Sequence, residues 1–198
     1  MRVIAGSARG RRLAAPPGRE TRPTADRVRE ALFAALGAEV AGATVLDLFA
    51  GSGALAIEAL SRGARRAVLV ERDRRAARVI ADNLERTGLR SEAEVVRTDA
   101  ARFCRAPRGR GPFDLILVDP PYSDPLPAVW RLLGDLRRAA AVASGATVVV
   151  ERDRRDRALD APRPAWLAQR RTRSYGDTVL LFLRAREQPS ASSERSPS

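Results

Sequence analysis

From residue 43 onward, short apolar runs alternate with longer amphipathic stretches, and this rhythm constrains the fold more than any other feature of the chain. The spacing predicts strands at 44–48, 67–70, 94–97, 114–118 and 146–150, and helices at 54–62, 74–87 and 126–143, with a short one near 100–104. Strands separated by helices imply βαβ units and a mostly parallel sheet. Residues 166–173 and 179–184 flank the turn Ser174-Tyr-Gly-Asp-Thr178 and predict a C-terminal antiparallel hairpin added to that sheet. The expected class is α/β, a Rossmann-like, mostly parallel sheet behind a basic N-terminal extension. Asp47, Glu71, Asp99 and Asp119 each stand at the end of a successive predicted strand. That is the edge where open α/β sheets bind ligands.

The extension covers residues 1–37, the core 38–186 and a polar tail 187–198. Residues 1–5 and 12–14 read as short strands around the turn Gly6-Ser-Ala-Arg-Gly10. Thr24 is positioned to N-cap a helix over 25–36, with Gly37 ending it. The tail is rich in Ser, Pro, Glu and Arg and is expected to be disordered.

The net charge is +12, and all 36 basic residues are arginine. A chain this basic attracts polyanions, nucleic acid first among them. It has one cysteine and no histidine, which excludes an internal disulfide, a cysteine-based zinc site and histidine-centred catalysis. Cys104 reads as a buried small apolar residue. Expectations are therefore a cytoplasmic, monomeric protein with no metal and no membrane span.

The run Phe113–Val118 ends in Asp119-Pro120-Pro121-Tyr122. The prolines stop the strand and stiffen its exit. A carboxylate, a fixed carbonyl and an aromatic ring are thereby grouped, a set suited to holding a planar amino group while its base stacks. Upstream, Asp47-Leu-Phe49-Ala-Gly51-Ser-Gly53 reads as a strand-to-helix turn whose glycines allow close backbone approach. With Glu71 twenty residues after Gly51, this meets the loose dinucleotide fingerprint, so an NAD site is a rival. Asp47 opposes it, because an acidic side chain opening the loop repels a pyrophosphate. A sulfonium with an amino-acid tail suits it better, which points to S-adenosyl-L-methionine. Glu71 would take a ribose diol, and Asp99, beside Ala100, an adenine amino group.

These ordered motifs resemble those of class I methyltransferases that modify exocyclic amines. Gly6-x-x-Arg9-Gly10-Arg11, then Arg22-Pro23-Thr24-x-Asp26-Arg27-Val28-Arg29-Glu30, resembles the bacterial 16S rRNA guanine-N2 methyltransferases of the RsmD type. The resemblance covers roughly residues 1–184. It implies that Asp47, Phe49, Gly51, Gly53, Glu71, Asp99 and Ala100 bind S-adenosylmethionine, and that Asp119, Pro120, Pro121 and Tyr122 surround the target amine. It also implies a guanine in 16S rRNA as substrate, within a partly assembled small ribosomal subunit.

Arg9, Arg11, Arg22, Thr24 and Arg27 are the expected RNA contacts. Arg27 and Arg29, with Asp26 and Glu30, also read as helix-surface ion pairs, and 152–157 as a solvated loop. Trp130 and Trp166 read as packing residues. A DNA adenine-N6 methyltransferase and a non-catalytic RNA-binding Rossmann module remain as alternatives.

Overall fold

The structure is a computed structural model that describes residues 1–16, 23–121, 123–156 and 158–187. Its strands are β1 (Thr44–Asp47), β2 (Arg66–Glu71), β3 (Ala93–Arg97), β4 (Phe113–Val118), β5 (Val142–Asp153), β6 (Leu167–Tyr175) and β7 (Thr178–Ala185). They form one sheet in the order β3-β2-β1-β4-β5-β7-β6. β1 to β5 are parallel, β7 runs antiparallel to β5, and β6 pairs antiparallel with β7. The strand order reverses between β1 and β4, so their carboxyl ends flank the crevice where such sheets bind ligands.

Helices α1 (Pro23–Leu36), α2 (Ala54–Ser61) and α3 (Arg74–Thr87) cover one face. Their buried Leu32, Phe33, Ile57, Ile80 and Leu84 share a core with Val45, Leu117, Val149 and Leu180. Helices α4 (Ala100–Arg105) and α5 (Leu126–Arg138) cover the other face, packing Phe103, Trp130 and Leu133 on Leu46, Val118 and Val150. Adjacent strand residues alternate between the two cores, as the pleat requires.

The N-terminal segment is built into this core rather than appended to it. Val3, Ala8 and Leu13 are buried in the α1–α3 core. The two expected short strands reduce to a single bridge between Arg2 and Arg12. The fixing contacts run to α2. Fully buried Glu58 accepts from the amides of Ile4 at 2.8 Å and Ala5 at 3.1 Å. The Ser61 carbonyl accepts from the Ser7 amide at 2.8 Å. Gly6 has φ +84°, and a Cβ placed on it would lie 1.7 Å from the Ser61 oxygen. Only glycine allows that approach.

Two expected boundaries are corrected. α1 starts at Pro23, whose fixed φ suits a first turn, so Thr24 stands inside the helix instead of capping it. α5 stops at Arg138, not at residue 143. Ala140 takes φ +53°, and the amides of Ala140 and Ala141 return to the carbonyls of Arg137 and Leu136. This is a Schellman closure with alanine where glycine usually signals it, and residues 142 and 143 belong to β5. Of the expected disordered tail, only Glu187 lies within the described residues. Cys104 is on the buried side of α4, and that burial pushes its thiol up to about 12.

Candidate active site

A cleft of about 320 Å³, a size typical of small-molecule sites, opens at the carboxyl ends of β1, β2 and β3. Leu48, Phe49, Val70 and Ala100 supply apolar wall, and Gly51, Glu71, Asp99 and Pro121 lie along it. Of the expected cofactor residues, Phe49, Gly51, Glu71, Asp99 and Ala100 therefore line one cavity. Asp47 and Gly53 do not line it, for different reasons.

Gly53 has φ +78° and is the N-cap of α2. A Cβ there would lie 3.1 Å from Leu69 and 3.2 Å from Ile80, so this glycine serves helix-to-sheet packing. Asp47 lies beneath the glycine loop, 1% exposed. Its Oδ2 accepts from the Ala56 amide at 3.3 Å, while Oδ1 is buried with no hydrogen-bond partner among the described residues. Burial first, then the nearby charges of Asp119 and Glu71, push its carboxyl up to about 7, against the backbone amides of Ala56 and Phe49. A buried carboxylate with an orphaned oxygen calls for a cation or a donor beside it.

The carboxylates of the cleft wall also shape the backbone. Glu71 accepts from the Gly51 amide at 2.9 Å and from the Asp73 amide at 2.8 Å. Asp99 caps α4, its Oδ1 accepting from Ala101 at 2.8 Å and Arg102 at 3.3 Å. The first glycine of the loop thus spends its N–H on a carboxylate. With Asp47 beneath it, the loop carries two carboxylates where a pyrophosphate would be repelled, an arrangement that suits a cationic ligand better than a dinucleotide.

Asp119 follows β4 at the edge of this cleft, and neither it nor Pro120 lines the cavity itself. β4 lies between β1 and β5, with Leu117 opposite Asp47 and Val118 opposite Val150. Alternation turns Asp119 to the same sheet face as Asp47. Tyr122 lies outside the described residues.

The chain matches, over residues 1–184, the profile of the family described as conserved hypothetical protein 95. A Bacillus subtilis relative, YlbH, provisionally named an rRNA methyltransferase, is 38% identical over 94% of this chain and 100% of its own length. The chain belongs to the RsmD family. The Escherichia coli ribosomal RNA small subunit methyltransferase D is 45% identical over 62% of this chain and 60% of its own length. Among solved structures, Escherichia coli yhhF, provisionally described as a methyltransferase, superposes with a TM-score of 0.79 at 36% identity, covering 95% of this chain and 99% of its own. The fold is that of the class I methyltransferases, and a more distant neighbour of that fold, at 15% identity and TM-score 0.64 over 83% of this chain and 50% of its own, was solved with S-adenosylhomocysteine.

Beyond the motifs that carry the RsmD resemblance, tertiary contacts bring in residues that no local signal marks. Pro16 lines the cleft. It is held there through buried Asn83 on α3, which accepts from the Ala14 amide at 2.8 Å and donates to the carbonyls of Ala14 at 3.0 Å and Ser52 at 2.9 Å. One side chain thereby ties the N-terminal segment to the glycine loop. Arg152 corrects the expected solvated loop. It is buried, its Nε donates to Asp156 at 2.6 Å, and its Nη1 donates to the Asp124 carbonyl at 2.8 Å. Asp124 also lines the cleft, so β5 anchors the segment that follows Asp119.

The expected RNA contacts fall in different places. Arg27 is exposed on α1. Arg29 is not a surface residue: it is 4% exposed, donates to the Arg2 carbonyl, and pairs with Asp26 at 3.2 Å and Glu58 at 3.8 Å. Arg9 is exposed on the turn docked at the C-terminal end of α2. Arg11 donates Nη1 to the Arg86 carbonyl at 2.7 Å, near the end of α3. Arg22 lies outside the described residues, as does the side chain of Thr24. Among the described residues no metal-ligating cluster occurs, and no helix is long and apolar enough to cross a membrane.

Proposed function

We propose that this chain transfers a methyl group from S-adenosylmethionine to the exocyclic N2 of a guanine in 16S rRNA. The observation that carries the reading is the Gly51 amide committed to Glu71 above a buried, half-satisfied Asp47, next to the Asp119-Pro120-Pro121 exit of β4. The rRNA substrate rests on the names of the relatives in the RsmD family.

In this reading Asp47 balances the positive charge of the cofactor's methionine end. Glu71 and Asp99 accept from ribose hydroxyls and the adenine amine through lone pairs left over from their backbone bonds, since a carboxylate accepts about four. Phe49, Leu48 and Val70 give the adenine an apolar wall. The bound sulfonium supplies an already activated methyl group. The guanine amine is a poor nucleophile because its lone pair is delocalised into the ring. Asp119 and the Pro120 carbonyl accept its N–H bonds, orient the nitrogen and favour its pyramidal form, and the proton released on methylation passes to Asp119 or to water. Tyr122 stacks on the base, worth roughly 1–3 kcal/mol. Positioning along the line of transfer does much of the remaining work. The guanine enters unstacked, from a loop or a partly assembled subunit.

The RNA backbone would run past the start of α1. Arg171 bonds the Ala35 carbonyl and Arg170 bonds Glu39, so the C-terminal end of α1 is tied to the middle of β6. The first turn of α1, with Thr24, and Arg27 just after it would then contact that backbone. Arg22 precedes it in the chain. Arg9 and Arg11 would touch RNA about one helix length away, roughly 12 Å for the eight residues of α2.

Nucleoside analysis of rRNA from a strain lacking the gene, with and without complementation, tests the reaction. Loss and restoration of N2-methylguanine is the expected result. Loss of N6-methyladenine from DNA, or unchanged modification, would replace the proposal with a DNA methyltransferase or a binding module. The cofactor assignment has its own check. Glu71→Ala and Asp99→Ala are each expected to weaken S-adenosylmethionine binding by about 1.5–3 kcal/mol per lost hydrogen bond, read by calorimetry, with RNA affinity little changed. An unmoved dissociation constant in both variants would show the cofactor to bind elsewhere.

A further inference from the structure

Glu151 is a half-buried carboxylate near the end of β5 that the mechanism above leaves without a task. Val118 of β4 pairs with Val150 of β5, so Asp119 and Glu151 occupy equivalent positions one residue on. Neighbouring strands lie about 4.8 Å apart. Val149 and Leu117 belong to the α1–α3 core, whereas Val150 and Val118 belong to the α4–α5 core. Alternation therefore turns Glu151 and Asp119 to the same face, beside Asp47. On β7 the residue opposite Glu151 is Leu180, which offers it no polar partner. Among the described residues the Glu151 side chain makes no hydrogen bond and no ion pair, while burial and the charge of Asp119 push its carboxyl upward.

We infer that Glu151 selects the base, its carboxylate accepting the ring N1–H of guanine while Asp119 accepts from the N2 amine. The inference rests on the proposed guanine reaction and adds to it the group that distinguishes guanine from the other amino bases. Two adjacent acceptors match two adjacent donors. Guanine alone among the amino bases has them, N1–H beside N2–H. Adenine and cytosine place a ring-nitrogen lone pair next to the amine, and an ionised Glu151 would face that lone pair across a repulsive contact. A neutral Glu151 would instead donate to it. Hydrogen bonding from N1–H favours the ionised form and opposes the upward push of burial, so guanine binding and ionisation of Glu151 support one another. The discrimination uses a buried polar group that the wrong base leaves unmatched, which is the strong form of selectivity.

The test uses the purified full chain, tritium-labelled S-adenosylmethionine, and small subunits reconstituted with rRNA that carries either guanine or 2-aminopurine at the methylated position. 2-Aminopurine keeps the amine but has a bare ring nitrogen at position 1. The wild type is expected to favour guanine by about 10- to 100-fold in kcat/KM, the worth of one hydrogen bond to an ionised group. Glu151→Gln can donate or accept at that position, and its preference should shrink at least several-fold, with 2-aminopurine methylated better than by the wild type. Glu151→Asp should restore part of the preference. S-adenosylmethionine affinity of each variant, measured by calorimetry, should stay near wild type and separates base selection from misfolding. An unchanged guanine to 2-aminopurine ratio in Glu151→Gln would overturn the role of Glu151 and leave the reaction standing. Failure of the wild type to methylate guanine at all would overturn the proposed reaction and this inference with it.

Discussion

Asp119→Ala is expected to lower the rate of methyl transfer by about 10²-fold or more, the cost of losing the group that positions the reacting amine, while S-adenosylmethionine affinity stays near that of the wild type. Asp119 stands at the end of β4, on the same sheet face as Asp47, and lies outside the lining of the cofactor cleft. Removing it takes away the acceptor for the amine and none of the cleft wall. It also takes a like charge from Asp47, whose carboxyl that charge helps to push up. Asp47 then ionises more readily, and its hold on a cation does not weaken. A tritium-transfer assay reads the first effect and calorimetry the second. Turnover close to wild type would remove Asp119 from the mechanism.

Glu58→Ala is expected to be the most damaging change outside the reacting groups. Glu58 is fully buried and holds three donors, the amides of Ile4 and Ala5 and the Arg62 guanidinium at 2.7 Å, with Arg29 a longer ion-pair contact at 3.8 Å. Arg29 keeps its partner Asp26 at 3.2 Å, so alanine at 58 strips the Ile4 and Ala5 amides of their acceptor and removes one of the two carboxylates beside buried Arg29, a combined loss of about 3–5 kcal/mol. For a chain of this size that corresponds to a fall of roughly 6–20 °C in melting temperature. The N-terminal segment should loosen first, and Pro16 lines the cleft, so cofactor affinity should fall as well. Glu58→Gln keeps an acceptor but not the charge and should lie between the two. A melting temperature within about 2 °C of wild type for Glu58→Ala would mean that hydrophobic burial of Val3, Ala8 and Leu13 alone holds the segment.

Much of this architecture is legible in the chain. Local periodicity is enough to find β1 to β5 and the helices between them: β1, β2 and β4, buried on both faces, leave continuous apolar runs, and the half-exposed edge strand β3 is set off by the helices on either side. The acidic residues that end successive strands are legible for the same reason: the pleat sets where a strand stops, and the crossover sets which edge it stops at. Where a helix ended without glycine, as α5 does at Ala140, the local signal was missing and the boundary ran five residues long. The 142–143 segment then passed for helix because Val142 and Ala143 suit either state.

What the tertiary structure alone decided concerns partners distant in sequence. Glu58 and Arg29 read as ordinary charged positions on helices, and only the folded chain buries them together beneath the first residues. Arg152 sits in a run of charges that reads as solvated, yet it is clamped between Asp156 and the Asp124 carbonyl. Asn83 has no motif, and its role comes from bridging Ala14 and Ser52. Glu151 follows an apolar run as an unremarkable strand end, and it gains meaning from the register that sets it beside Asp119. The sequence by itself determined the strands, their order of acidic ends and the glycine turn, because each follows from interactions within a few residues. The burial of charges, the use of the Gly51 amide and the pairing of carboxylates across strands depend on long-range packing, and local pattern carries no record of it.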